Sequence, residues 1–171
     1  MRRRALAAVV VAGWASAALG QAAPDLRCGL QVLPRQALGQ AVVLQFTLTN
    51  AGPDALWVLR WNTPWEGHWT APFATLSRDG QPLDYQGAMV KRAAPDASSY
   101  LRLAAGQVQR GSVPLSPAFD VSRAGRYVLQ PTITLGDVQV QQGGAGPRLG
   151  QPWHGVDLNC AAAGFEMLAP R

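Results

Sequence analysis

Two histidines, His68 and His154, and the tripeptide Glu66-Gly67-His68 are the residues of this chain best suited to acid–base or metal chemistry. A protein-bound zinc needs three or four ligands, and two histidines without a third fall short. Glu66-Gly67-His68 also lacks the H-E-x-x-H spacing that puts two ligands and a general base on one helical face. Nucleophilic catalysis needs a Ser or Cys beside a positioned base, and the sequence has no G-x-S-x-G elbow. Any two of the ten acidic residues could converge for glycoside hydrolysis, but no pair is favoured. An enzyme would require His68 or His154 to meet an acid in a concave pocket. Otherwise both are solvated loop histidines. The expectation is no catalytic residue, no metal and no cofactor.

The first residues read as a targeting segment. Met1–Arg4 is basic, Ala5–Ala15 is apolar, and Ala18-Leu19-Gly20 supplies small residues for cleavage between positions 20 and 23. This is the three-part pattern of a secretory signal peptide, and its apolar run is too short for a permanent membrane anchor. Removing residues 1–20 leaves about 150 residues, enough for a single domain, 24–171, with its own core. The exported product is periplasmic or extracellular. Arg2, Arg3 and Arg4 leave with the signal, so 15 basic residues become 12 against 10 acidic, a net of +2. The remaining cations are scattered, which excludes the concentrated patch that nucleic acid requires. In an exported chain the two cysteines, Cys28 and Cys160, are expected to pair as a staple between first and last strands. A reactive or metal-binding pair is the alternative.

The elements that must position these groups follow from a period of two. Val42, Leu44, Phe46 and Leu48 share one face, and so do Tyr127, Leu129, Ile133 and Leu135 in RYVLQPTITL. Val156, Leu158 and Cys160 form the last such run. Turn residues separate the runs at Asn50–Asp54, and Asp79-Gly80 and Gly136-Asp137 are each read as a hairpin. Pro131 inside a run predicts an edge or a bulge. Gly125 two residues before Tyr127 fits a tyrosine corner. The expected fold is an all-β, Greek-key, immunoglobulin-like β-sandwich of about eight or nine strands.

Tryptophan stands at every fourth position from 57 to 69, in WVLRWNTPWEGHW. Such spacing would stack indoles on one face of a helix, but Pro64 and Gly67 break any helix there. Trp57 and Trp61 instead share a strand face with Leu59, and Trp57 is assigned to the core. Trp61, Trp65 and Trp69 either cover the mouth of the sandwich or face a partner.

The block from Val42 to Leu135 carries a further pattern. Its marks are Arg60-Trp61-Asn62-Thr63-Pro64, Glu66-Gly67, Asp79-Gly80, Tyr85-Gln86-Gly87, Lys91-Arg92, Pro95, Tyr100, Ala105-Gly106, Leu115-Ser116 and Phe119-Asp120. This resembles the small exported β-sandwich domain found N-terminal to the catalytic domain of deuterolysin-like zinc metallopeptidases, the aspzincins. It is also similar to bacterial exported proteins made of that domain alone. The peptidase's own zinc motif is not in this sequence, so its activity is not carried over. The resemblance implies a non-catalytic, protein-binding role as inhibitor, pro-domain or chaperone for a protease. Trp65 departs from the family, which usually has an aliphatic residue there.

The candidate contact residues are Trp61, Asn62, Trp65, Glu66, His68 and Trp69 in one loop, with Lys91 and Arg92 in another. Aromatic anchors would fill pockets and the cations would meet carboxylates. Equally, Asn62, Thr63, Glu66 and Asp79 would only hold turns. A second reading, carbohydrate or cell-envelope binding, requires Trp65 and Trp69 to be exposed and roughly coplanar. Protein binding requires one buried and one protruding indole beside the Lys-Arg pair.

Overall fold

A computed structural model describes residues 23–169. The expected signal segment, residues 1–20, lies outside them. No helix among the described residues is long and apolar enough to cross a membrane.

The chain is an all-β sandwich. Its strands are β1 (Leu26–Gln31), β2 (Arg35–Ala37), β3 (Val43–Asn50), β4 (Leu56–Leu59), β5 (Ala74–Arg78), β6 (Gln81–Leu83) and β7 (Tyr100–Leu103). They continue with β8 (Val108–Pro114), β9 (Gly125–Pro131), β10 (Thr134–Leu135), β11 (Val138–Val140), β12 (Val156–Asp157) and β13 (Ala163–Leu168). The count exceeds the expected eight or nine because several of these strands are only two or three residues long. One sheet has the order β2-β13-β9-β5-β6. Facing it are β1-β3-β8 and β11-β4-β7, with β10-β12 as a short ribbon. The chain pairs β3 with β8 and β4 with β7, then crosses to pair β5 with β9. Such non-sequential antiparallel pairing is what Greek-key connections produce.

The alternation in β3 works as read: Val42, Leu44, Phe46 and Leu48 are buried in the common core. Tyr127, Leu129, Ile133 and Leu135 are buried as well. Tyr127 stacks on Phe165 of β13 at 4.9 Å, and its hydroxyl donates to the Arg123 carbonyl at 2.7 Å, forming the expected tyrosine corner. Asp79 and Gly80 have φ of +48° and +79° and link β5 to β6 as a two-residue hairpin. Cys28 and Cys160 form a disulfide with Cα atoms 5.2 Å apart.

Pro131 sits at a local edge as expected: it ends β9 opposite Ala74 of β5, beyond the pairing with β13, which stops at Leu129. Three expectations need correction. Gly136-Asp137 is a crossover between sheets, since β10 pairs with β12 and β11 with β4. The last strand is β13, three residues beyond Cys160, rather than the run at Val156. Trp57 is not in the core: Leu56 and Val58 face inward, so Trp57 and Leu59 point to the other side of β4. There Trp57 Nε1 donates to the Ala145 carbonyl at 2.9 Å, so the glycine-rich loop after β11 folds over it.

That loop is anchored by a carboxylate read from the sequence only as a turn residue. Asp137 is buried. Its Oδ2 accepts from the Tyr100 hydroxyl and Gln139 Nε2, both at 2.7 Å, and its Oδ1 from the His154 amide at 2.9 Å. Burial, followed by the hydrogen bond to Asp137, raises the Tyr100 phenol well above its ordinary pKa and keeps it a donor.

Candidate binding surface

The loop that leaves β4 is built residue by residue from its sequence. Asn62 adopts φ of +57°, a left-handed conformation that asparagine tolerates better than most residues. Thr63 caps a 3₁₀ turn, Pro64–Glu66, with its hydroxyl accepting from the Trp65 amide and donating to the Arg60 carbonyl at 2.6 Å. Pro64 occupies the first position, where its missing N–H costs nothing. Gly67, at φ of +75°, ends the turn.

This turn aims Glu66 inward. The Glu66 side chain is 8% exposed, and its Oε1 receives Arg92 Nη2 at 2.6 Å. Its Oε2 accepts from the Asn62 amide at 2.8 Å and the Thr70 hydroxyl at 2.7 Å. One carboxylate thereby ties together both ends of the tryptophan loop and the segment carrying Arg92. Arg92 also lies over the Trp61 ring, 5.0 Å from its centroid. Asp96 closes the same segment with a capping box at Ser99, and hydrogen bonds from Ser98 and then Ser99 hold its carboxyl below the usual range.

The indoles divide. Trp69 is 3% exposed, stacked on Phe73 at 4.0 Å and edge-on to Phe119 and Tyr85, with Nε1 donating to the Pro114 carbonyl at 2.7 Å. Trp65 is half-buried against Phe46, at 5.4 Å. Its ring fills the space that Gly111 of β8 leaves, where a Cβ would come 2.7 Å from Trp65 Cδ1 and 2.9 Å from the Pro64 carbonyl oxygen. Gly111→Ala is therefore expected to lower stability by about 1–3 kcal/mol, the range for overpacking against backbone. Urea denaturation checks it, and an unchanged midpoint would refute this account of Trp65.

Trp65 and Trp69 thus do not form the exposed, coplanar platform that sugar stacking requires. Neither is the protruding indole. That position belongs to Trp153, which is 51% exposed and meets the half-buried Trp61 edge-on at 6.2 Å. Only the fold of the loop after β11 brings these two together, and no local pattern announces it. Asn62, His68 and Lys91 are exposed on their loops. His154 lines a pocket of 180 Å³ with Gln139, Arg148, Gln151 and Pro152. Asp137 receives the His154 amide and not its imidazole. Among the described residues, no three His, Cys, Asp or Glu side chains gather to hold a metal.

No protein-family profile matches the chain. Over 95 residues it is 40% identical to an extracellular protease of Aeromonas hydrophila, covering 54% of this chain and 27% of that protein. The matched segment thus spans about a quarter of the length of the curated relative, as a domain within a larger protease would. Two solved structures align only loosely. One is a Pseudomonas fluorescens alkylpurine DNA glycosylase bound to DNA containing an abasic site analog (20% identity, TM-score 0.35, 86% of this chain and 32% of that one). The other is the CARDB domain of a Pyrococcus furiosus protein in complex with di-metal ions (11% identity, TM-score 0.34, 93% and 100%). Neither superposition is close enough to bear on function.

Proposed function

We propose that this protein is an exported, non-catalytic β-sandwich module that binds protein and works beside a peptidase. The observation that supports it most is the 40% identity to a segment making up only 27% of an extracellular protease. A segment that takes up so small a share of the protease suits an accessory module better than a catalytic one. The partner is a zinc metallopeptidase of the deuterolysin-like type, and the role is that of inhibitor, pro-domain or chaperone. The contact face is Trp153, backed by Trp61, with Asn62 and Lys91 around it, because a large exposed amphipathic ring makes a strong anchor.

The test is affinity capture from the organism's own exported fraction. The bait is the oxidised protein, beside a Trp61→Ala, Trp153→Ala double variant. Recovery of a zinc peptidase by the parent and not by the variant is the expected result. Recovery of no peptidase by the parent, or equal recovery by both, would contradict the reading.

A further inference from the structure

Residues 84–96 form neither helix nor strand, yet they are tied down at intervals. The Gln86 amide donates to the Ala118 carbonyl and the Tyr85 hydroxyl to the Ala88 carbonyl. The Val90 amide donates to the Thr70 carbonyl at 2.8 Å, and Arg92 is clasped by Glu66. Between these ties the chain is open: Met89 is 74% and Val90 48% exposed, and Lys91, Ala93 and Ala94 are exposed too. Among the described residues the amides of Met89 and Lys91, on either side of the bonded Val90, enter no backbone hydrogen bond. Alternate backbone groups are thus left for an incoming strand, the way extended peptides are read. Lys91 is the only lysine in the sequence. Its neighbour Arg92 is occupied, held by Glu66 and laid over Trp61. One basic side chain therefore stands free at the centre of an exposed, tethered strap.

We propose that residues 88–93 are a substrate-like docking strap for a serine endopeptidase specific for basic residues, with Lys91 entering its acidic specificity pocket. The complementarity is that of a cation for a buried acid at the base of such a pocket. This goes beyond the zinc-peptidase reading, since it names a different partner class and a different anchor. Hydrolysis there breaks the amide between the Lys91 carbonyl carbon and the Arg92 nitrogen. One water supplies the hydroxyl of the new Lys91 carboxyl and the proton of the new Arg92 amine. Arg92 remains clasped by Glu66, and Val90 remains bonded to Thr70. The new amine thus stays beside the acyl–enzyme and re-attacks it, and turnover is slow.

The experiment uses trypsin as the probe, with a small chromogenic substrate and the oxidised protein. The parent is expected to inhibit competitively and to be cut slowly at Lys91–Arg92. The two fragments would separate only when the Cys28–Cys160 disulfide is reduced. Lys91→Ala should weaken inhibition about a hundredfold, the loss of a hot-spot side chain, while Lys91→Arg should retain it. Releasing the clasp with Glu66→Gln should speed cleavage about tenfold by loosening the preorganised strap. Arg92→Ala makes the same test if Glu66→Gln does not fold. Absence of inhibition by the folded parent, rapid hydrolysis of the strap, or undiminished inhibition by Lys91→Ala would overturn the proposal. None of these outcomes depends on capture of a zinc peptidase, so the two readings fail separately.

Discussion

Glu66→Ala is expected to lower the stability of this protein by about 3 kcal/mol, the lower end of the cost of removing one partner from a buried ion pair, because Arg92 keeps part of its exposure. At this chain length that is a fall in Tm on the order of 10 °C. Glu66 is 8% exposed and takes hydrogen bonds from Arg92, the Asn62 amide and the Thr70 hydroxyl. Its loss leaves the guanidinium without its counter-charge and the Asn62 amide without an acceptor, while the Thr70 hydroxyl keeps only its longer bond to Asn62 Oδ1 at 3.2 Å. Arg92→Ala should cost less. Its side chain is 22% exposed, and the Asn62 and Thr70 bonds to Glu66 survive it. The double variant should be less destabilised than the sum of the singles, because each single already forfeits the shared bond. Thermal and urea denaturation of the four proteins measures all three terms. Equal, small losses for both singles, with strict additivity, would mean that the clasp is a solvated surface pair.

The second large effect concerns the disulfide. Cys28→Ser, Cys160→Ser is expected to cost about 2–5 kcal/mol, the usual range for a native bridge in a small exported domain. The bridge spans 132 positions, so its removal frees nearly the whole unfolded chain. It joins β1, at the edge of one sheet, to the segment entering β13 in the facing sheet. Urea unfolding should show both a lower midpoint and a steeper slope, because the uncrosslinked denatured state exposes more surface. A midpoint unchanged between the oxidised parent and the double serine variant would assign the bridge no stabilising role.

What the sequence disclosed was whatever depends on near neighbours. The alternation of β3, the Asp79-Gly80 hairpin and the tyrosine corner each rest on residues within a few positions of one another, and each is present. The strand β13 is not legible in the sequence because AGFEML holds alanine, glycine and methionine, types that carry little strand signal. It is a strand because Phe165 finds Tyr127 across the sheet, a tertiary cause. Trp57 lies outside the core, against expectation, because alternation fixes which residues share a face but not which face is inward. Asp137 looked like turn chemistry, and only the partners Tyr100, Gln139 and His154 reveal a buried anchor.

The loop from Arg60 to Thr70 shows the same division within one motif. Asn62, Thr63, Pro64 and Gly67 announce a turn, and the turn is there. That Glu66 reaches Arg92, and that Gly111 of a distant strand makes room for Trp65, depends on residues 26 and 46 positions away. The pairing of half-buried Trp61 with exposed Trp153 spans a longer separation still. Residue type therefore indicated an aromatic contact at this end of the sandwich, while the fold decides which indoles remain free for it.

The central claim, a binding module that works beside a peptidase, is tested most directly with the relative itself. The Aeromonas hydrophila protease would be prepared without the segment that matches this chain and titrated calorimetrically with the oxidised protein. Saturable binding at one-to-one stoichiometry, weakened about tenfold or more by Trp61→Ala, Trp153→Ala, is the predicted result, since anchor residues carry most interface energy. No binding to a folded, titratable protease would contradict the account.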